Sequence, residues 1–198
     1  ATFANANVGT GKSVTLAGAT LSGSAAGNYT FRSAGTATAD ITPKSVTPVI
    51  VANSKPYDGN TAATLSSQSV TGTLGADVVT LGVGAANFDT KSVGMGKTVT
   101  ATALTLSGAD AANYTLSATS ATSLADITAL GLTGSFTAAN KVYDGTTAAT
   151  VATRTLNNVL PADTASVSLT GGTATFANAN VGTGKSVTLA GATLSGSA

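Results

Sequence analysis

The chain contains no cysteine, no histidine, no tryptophan and no glutamate. The first two absences remove disulfides, zinc sites of the Cys/His type and histidine-based catalytic triads from consideration. A chain without cysteine fits any redox compartment, although many proteins that cross bacterial envelopes in extended form share that lack. The absence of glutamate means that all eight acidic residues are aspartate. Long helices draw on Glu, Lys, Arg, Leu and Gln, so this composition argues against them. Charged residues make up only 9% of the chain, against about a quarter in an ordinary domain, so Thr, Ser, Asn and Gly must cover the surface. The net charge of +1 provides no electrostatic footprint for nucleic acid or an anionic membrane. No apolar run approaches the roughly 20 residues of a membrane span. With 42% hydrophobic residues the chain can bury a core, and its richness in Thr and Val favours strands. An all-β fold is expected.

What is present is repetition. Lys55-Pro56-Tyr57-Asp58-Gly59-Asn60-Thr61-Ala62-Ala63-Thr64 returns as Lys141-Val142-Tyr143-Asp144-Gly145-Thr146-Thr147-Ala148-Ala149-Thr150, 86 residues later. Residues 1–25 recur unchanged at 174–198, and a diverged copy begins at Phe88. Phe3, Val8, Lys12, Leu21 and Tyr29 align with Phe88, Val93, Lys97, Leu106 and Tyr114. The repeated Ala39-Asp40-Ile41-Thr42 and Ala125-Asp126-Ile127-Thr128 mark the boundaries. One complete repeat is therefore expected at 43–128, preceded by the C-terminal part of another at 1–42. Residues 129–198 form a following repeat without its last strand. Because residue 1 falls inside a repeat, the chain reads as an internal piece of something longer. A unit of about 86 residues suits a small domain better than a solenoid coil.

Within 43–128, strands are expected at Val46–Ala52, Ala62–Leu65, Ser69–Thr73, Val78–Val83, Thr98–Leu106, Tyr114–Ala118 and Leu124–Thr128. Turns are expected at Asp58-Gly59, at Leu74 to Asp77, at Gly94-Met95-Gly96 and at Ser107 to Asp110. Seven short strands with turn signals every 8–12 residues suggest tandem immunoglobulin-like β-sandwiches, with a β-grasp-like or other small mostly-β repeat as the alternative. Val99, Ala101 and Ala103 share one strand face, whereas Leu104 and Leu106 take the other. That phase switch implies a bulge or a bend between sheets.

Candidate site residues are few. Asp110-Ala111-Ala112-Asn113-Tyr114 has the spacing of a tyrosine corner, in which a buried hydroxyl bonds backbone a few residues upstream; Tyr29 is its counterpart in the first copy, with Ala25 in place of the aspartate. Tyr57, Asp58 and Gly59, with Tyr143, Asp144 and Gly145, form a turn, because Gly takes positive φ freely and Asp tolerates it. Tyr57 and Tyr143 are also the candidates for ligand contact, since an exposed Tyr beside a loop could stack on a sugar. Ala6 to Ser13 and Ala179 to Ser186 fit a relaxed P-loop pattern, but a strand-like stretch follows where a helix is required, so a glycine hairpin turn with an exposed lysine is expected. The aspartates lie singly, and calcium needs six to eight oxygens, so turn and cap roles are expected of them. An interdomain calcium site joining Asp58 to Asp126 is the alternative. Asn28-Tyr29-Thr30 and Asn113-Tyr114-Thr115 match the glycosylation sequon at strand starts, a coincidental match. Rows such as Thr98, Thr100 and Thr102 resemble ice-binding faces, but exposed strands favour Thr in any case.

The ordered motifs K-x-Y-D-G-[NT]-T-A-A-T, NVGTGKSVT or SVGMGKTVT, LSGxxxxNYT and ADIT together resemble the YDG repeat of very long bacterial surface proteins similar to filamentous haemagglutinin adhesins. The resemblance implies two-partner secretion to the bacterial cell surface and a stalk or filament role. It brings no catalytic residue, so no enzyme activity and no cofactor are expected. The expected partners are other copies of the chain, assembled head to tail or by strand complementation, with glycan, host or abiotic surfaces, or ice as the alternative. Neither nucleic acid nor membrane insertion is expected.

Overall fold

The computed structural model describes residues 1–196; Ser197 and Ala198, the last two positions of the third copy, lie outside the described residues. The chain is all-β. In the first part, β1 (Thr2–Phe3), β2 (Gly9–Thr15) and β3 (Thr36–Ile41) form an antiparallel sheet in that order. The middle repeat carries β4 (Lys44–Ala52), β5 (Lys55–Pro56), β6 (Leu65–Thr71), β7 (Thr80–Phe88), β8 (Gly94–Ser107), β9 (Tyr114–Leu116) and β10 (Ala121–Thr128). These make two sheets, β6-β4-β9 and β5-β10-β8-β7. The third part has β11 (Thr133–Ala138), β12 (Ala148–Ala149), β13 (Val151–Asn157), β14 (Ser168–Phe176) and β15 (Val187–Ser195), paired as β11-β13 and β12-β14-β15.

The alternation of apolar and polar residues sets the core. In β4, Val46 and Ile50 point inward, and in β10 Ala121, Ala125 and Ile127 do so. One cluster joins Ile50, Leu81, Ala101 and Ala121, flanked by Leu65, Val70, Val83, Leu104, Leu106 and Leu116, so both sheets of the middle repeat contribute to it. Each fully buried Val, Leu or Ile contributes on the order of 1.5–3 kcal/mol. No residue before Val46 is buried, and Ala174 is the one buried hydrophobic residue beyond Ile127 among the described residues. Chain contacts define two compact units. The first contains Ala1–Asn53, Ala62–Phe88 and Thr98–Leu124; the second contains Ser54–Thr61, Asp89–Lys97 and the chain from Ala125 onward.

Several local expectations change. Ala62–Leu65 is not a strand: Ala62 forms an isolated bridge to Asn87, and the strand there, β6, starts at Leu65. Gly94-Met95-Gly96 is not a turn but the start of the 14-residue β8, because β10 supplies a partner strand. The phase switch arises without an inserted residue. Pairing of β7 with β8 keeps one register from Thr80↔Ser107 to Phe88↔Val99. Ala103 instead takes φ +52, a left-handed conformation, opposite Gly84, and the buried face changes on both strands there. A side chain on Gly84 would stand 2.7 Å from the Ala103 Cβ, so this bend requires glycine at position 84. Gly18 and Gly191 occupy the position of Ala103 in the other copies, with φ +71 and +73.

Candidate functional site

The recurring Tyr-Asp-Gly stretch folds as a turn closed by its own lysine. Gly59 has φ +78, and the Asn60 N–H donates to Asp58 Oδ1 at 3.1 Å. Lys55 Nζ donates to Asp58 Oδ1 at 2.8 Å and to the Asn60 carbonyl at 2.9 Å. The second copy repeats this: Gly145 has φ +74, Lys141 Nζ reaches Asp144 Oδ1 and the Thr146 carbonyl, each at 2.8 Å, and the Thr146 N–H donates to Asp144 at 2.9 Å. The lysine bond, followed by the Thr146 N–H, lowers the Asp144 carboxyl to about 2. Lys55 likewise holds Asp58 below the ordinary carboxylate range. These pairs are solvent-exposed and shape the turn more than they stabilise the fold.

The two tyrosines of the motif stand in different surroundings. Tyr57 is half-buried, and its N–H donates to the Thr128 carbonyl at 2.8 Å, extending the parallel pairing of β5 with β10. The Asp163 side chain, with desolvation, raises its phenol above the ordinary value. A side chain on Gly59 would meet Leu160 Cδ1 at 3.3 Å, so the turn lies against the Leu160 side chain. Tyr57 to Gly59 of the middle repeat thus rests on Leu160 to Asp163 of the next. Tyr143 is 64% exposed, and no atom approaches the Cβ position of Gly145 within 4 Å.

Tyr114 is buried, but its hydroxyl does not bond backbone a few residues upstream. It accepts from the Leu74 N–H at 2.9 Å and donates to Asp77 Oδ2 at 2.5 Å, 40 and 37 residues away. The Asp77 bond raises its phenol above the ordinary value. Asp110 holds the stretch just before β7, accepting from the Val78 N–H at 2.8 Å. Tyr29, the counterpart, is 72% exposed; residues 1–42 hold no Leu-x-Ala-Asp turn for it to pin. Asn113 does not stand free in a sequon: its Oδ1 accepts from the Val8 N–H at 2.9 Å, joining the first part to the middle repeat.

The P-loop look-alikes are occupied by their own chain. Lys12 Nζ folds back onto Asn5 Oδ1 and the Asn7 carbonyl, Lys97 onto Asp89 at 3.0 Å and Thr90 at 2.6 Å, and Lys185 onto Asn178 and Asn180. Lys12 and Lys185 are half-buried, as is Lys97 in the middle copy, so the expectation of an exposed lysine on a hairpin turn is replaced by a lysine-plugged loop. In the first two copies one glycine N–H of the loop is also taken: Gly11 donates to Asp40 at 2.8 Å, and Gly96 to Asp126 at 2.7 Å. Asp58 and Asp126, the pair considered for calcium, are turned to Lys55 and to Gly96 respectively. Among the described residues no three acidic side chains converge. A groove in the third part is lined by Lys141, Tyr143, Asn178, Asn180, Lys185 and Val187. In the middle repeat the corresponding space, between β5 and β8, holds β10.

The residues that sequence reasoning missed are Leu160 and Asp163, the seat of Tyr57, and the Asn113 contact. The signal for the first was present: Leu74-Gly75-Ala76-Asp77 recurs as Leu160-Pro161-Ala162-Asp163 at the same 86-residue spacing as the tyrosine turn. Neighbouring repeats meet through the Val8–Asn113 hydrogen bond at one boundary and the Gly59–Leu160 approach at the other. It brings together no nucleophile and base.

The family model described as the YDG domain matches residues 1–39, 42–122 and 128–198. Comparison with curated proteins and with solved structures gives no match.

Proposed function

The chain belongs to the YDG-domain family, and on that premise we propose that it is a structural segment of a large adhesin secreted to a bacterial cell surface. Its tandem repeats join head to tail into a stalk or filament. The observation that supports this reading is the close approach of Leu160 to the Gly59 turn, which brings the signature turn of one repeat against the next. A motif used as a joint makes length scale with copy number while each repeat keeps its own stability. The segment acts without catalysis, and its partners are further copies of the same repeat.

Binding of glycan, host surface or ice through the signature tyrosines is the less favoured reading. Tyr143 is exposed, but its equivalent Tyr57 is half-buried where the Gly59 turn meets Leu160 of the following repeat, so the platform would shrink wherever a repeat has a successor. Small-angle scattering of the 198-residue chain tests the stalk reading. An elongated profile is expected, and a compact globule would sink it. Tyr143→Ala should leave adhesion of the full surface protein unchanged; a loss of adhesion with an unchanged melting temperature would favour the binding reading.

A further inference from the structure

Two recurring motifs, the glycine–lysine loop and the Asn-Tyr-Thr turn, meet across a repeat boundary. In the first copy the loop spans residues 5–12, and Lys12 Nζ is drawn onto Asn5 Oδ1 and the Asn7 carbonyl. The next residue, Val8, donates its N–H to Asn113 Oδ1 of the middle repeat at 2.9 Å. Asn113 Nδ2 in turn donates to Asn7 Oδ1 at 3.4 Å, so the carboxamide is engaged through both of its polar atoms. Asn113 is half-buried and closes the short 3-10 helix Ala111–Asn113, directly before Tyr114.

The chain carries its own control. Residues 1–25 recur unchanged at 174–198, which puts Val181 in the place of Val8. Lys185 folds onto Asn178 and Asn180 as Lys12 does onto Asn5 and Asn7. Yet Val8 is half-buried and Val181 is 86% exposed. The loop is therefore built in the same way in both places, and burial of its valine goes with the contact to Asn113. The middle copy leans the same way: its loop, Asp89–Lys97, groups with the chain from Ala125 onward and not with the other strands of its own repeat.

We propose that the glycine–lysine loop is the docking element through which a repeat holds its successor, and that the asparagine of the Asn-Tyr-Thr turn is its receptor. The lysine shapes the loop around its own ammonium. The loop then presents a backbone N–H beside a side-chain oxygen, and a carboxamide matches both, because it carries an acceptor and donors together. The two motifs that resemble a nucleotide loop and a glycosylation sequon thereby share one use. This deepens the head-to-tail reading and rests on it for the order of the repeats.

Amide hydrogen exchange, followed by NMR on the 198-residue chain, tests the pair. Val8 and Val181 have the same sequence neighbours, so their unprotected rates are equal, and Val8 should exchange about tenfold more slowly. Asn113→Ala should bring Val8 to the rate of Val181, whereas Asn113→Asp, which keeps an acceptor oxygen, should retain the protection. Lys12→Met, on the other side of the contact, should release Val8 as well. The Leu74 N–H, bonded to the Tyr114 hydroxyl, reports that the middle repeat stays folded in each variant. Equal rates at Val8 and Val181 in the parent chain would overturn the docking pair, as would a Val8 rate indifferent to Asn113→Ala while Leu74 stays protected. If Asn113→Ala also exposes Leu74, Lys12→Met decides: release of Val8 upholds the pair, and retained protection overturns it. An elongated scattering profile with Val8 exchanging as fast as Val181 would refute the pair and leave the stalk reading standing. A compact profile with a protected Val8 would do the reverse.

Discussion

Residues 1–25 and 174–198 are the same sequence, yet they fold into different pieces of one strand. In the first copy Gly9–Thr15 is β2, paired with β3, while the stretch from Leu16 to Leu21 has no strand. In the last copy the corresponding early stretch is irregular and Val187–Ser195 forms β15, paired with β14. The middle repeat has both neighbours, and there β8 runs the full length from Gly94 to Ser107 between β10 and β7. Local propensity is identical in the two terminal copies, so the partner strand decides which half is ordered. This is the tertiary control expected of β structure. Packing follows the same rule. Phe88 is 3% exposed, and its equivalent Phe3 is 39% exposed.

The contrast can be broken most severely at that phenylalanine. Phe88→Ala should cost about 3–5 kcal/mol in denaturant unfolding, in line with large-to-small core changes, whereas Phe3→Ala should cost about 1 kcal/mol or less. Equal losses would mean that the terminal copy is packed as the middle one is. The corner tyrosines are next in size. Tyr114→Phe leaves the Leu74 N–H and Asp77 without their partner and should lower stability by about 1–3 kcal/mol; Tyr29→Phe, at an exposed ring, should lie within about 0.5 kcal/mol of the parent.

A smaller effect of opposite sign is expected at the bend. Ala103 sits at φ +52 where the two other copies carry glycine, so Ala103→Gly should stabilise by about 0.5–1 kcal/mol, relief of left-handed strain exceeding the extra freedom of the unfolded chain. A lowered melting temperature would contradict the strain argument. The smallest effect is electrostatic. Asp144 ionises at about 2 in the folded chain against 3.8 ordinarily. Its folded value is depressed, so its contribution is present above the unfolded value and is lost as pH falls toward 2. Carboxyl titration by NMR should show Asp144 taking up its proton only as pH falls toward about 2, and Lys141→Met should bring it back toward the ordinary value.

Where the sequence was legible, short-range signals sufficed. The Asp58-Gly59 turn, the Leu74-to-Asp77 turn and the Ala-Asp-Ile-Thr strand all follow from turn chemistry and alternation among near neighbours. Lys55–Pro56 was missed as a strand because proline opposes that reading, yet its two residues pair in parallel with Ile127 and Thr128, some 70 positions on. Gly94 and Gly96 read as a turn for the same reason: nothing near them in the chain announces β10. The lysines of the glycine loops read as exposed because their partners, Asn5, Asp89 and Asn178, precede them by seven or eight residues in irregular chain. At the joint, tyrosine and aspartate types were visible, but their pairing spans a repeat boundary. Periodicity of the motifs supplied the spacing, and only folding supplied the partner.

The parallel pairs have a mechanical consequence. Within residues 43–128, the first strand, β4, runs parallel to β9 near the end, and β5 runs parallel to the last residues of β10. Tension applied between the two ends of the repeat drives these partners past one another along their own axes. Their cross-strand bonds, including those from the Ser117 and Tyr57 N–H groups at 2.8 Å each, are then loaded side by side and must yield together instead of opening one by one as in a peeled hairpin. Such a repeat resists tension applied between its own two ends.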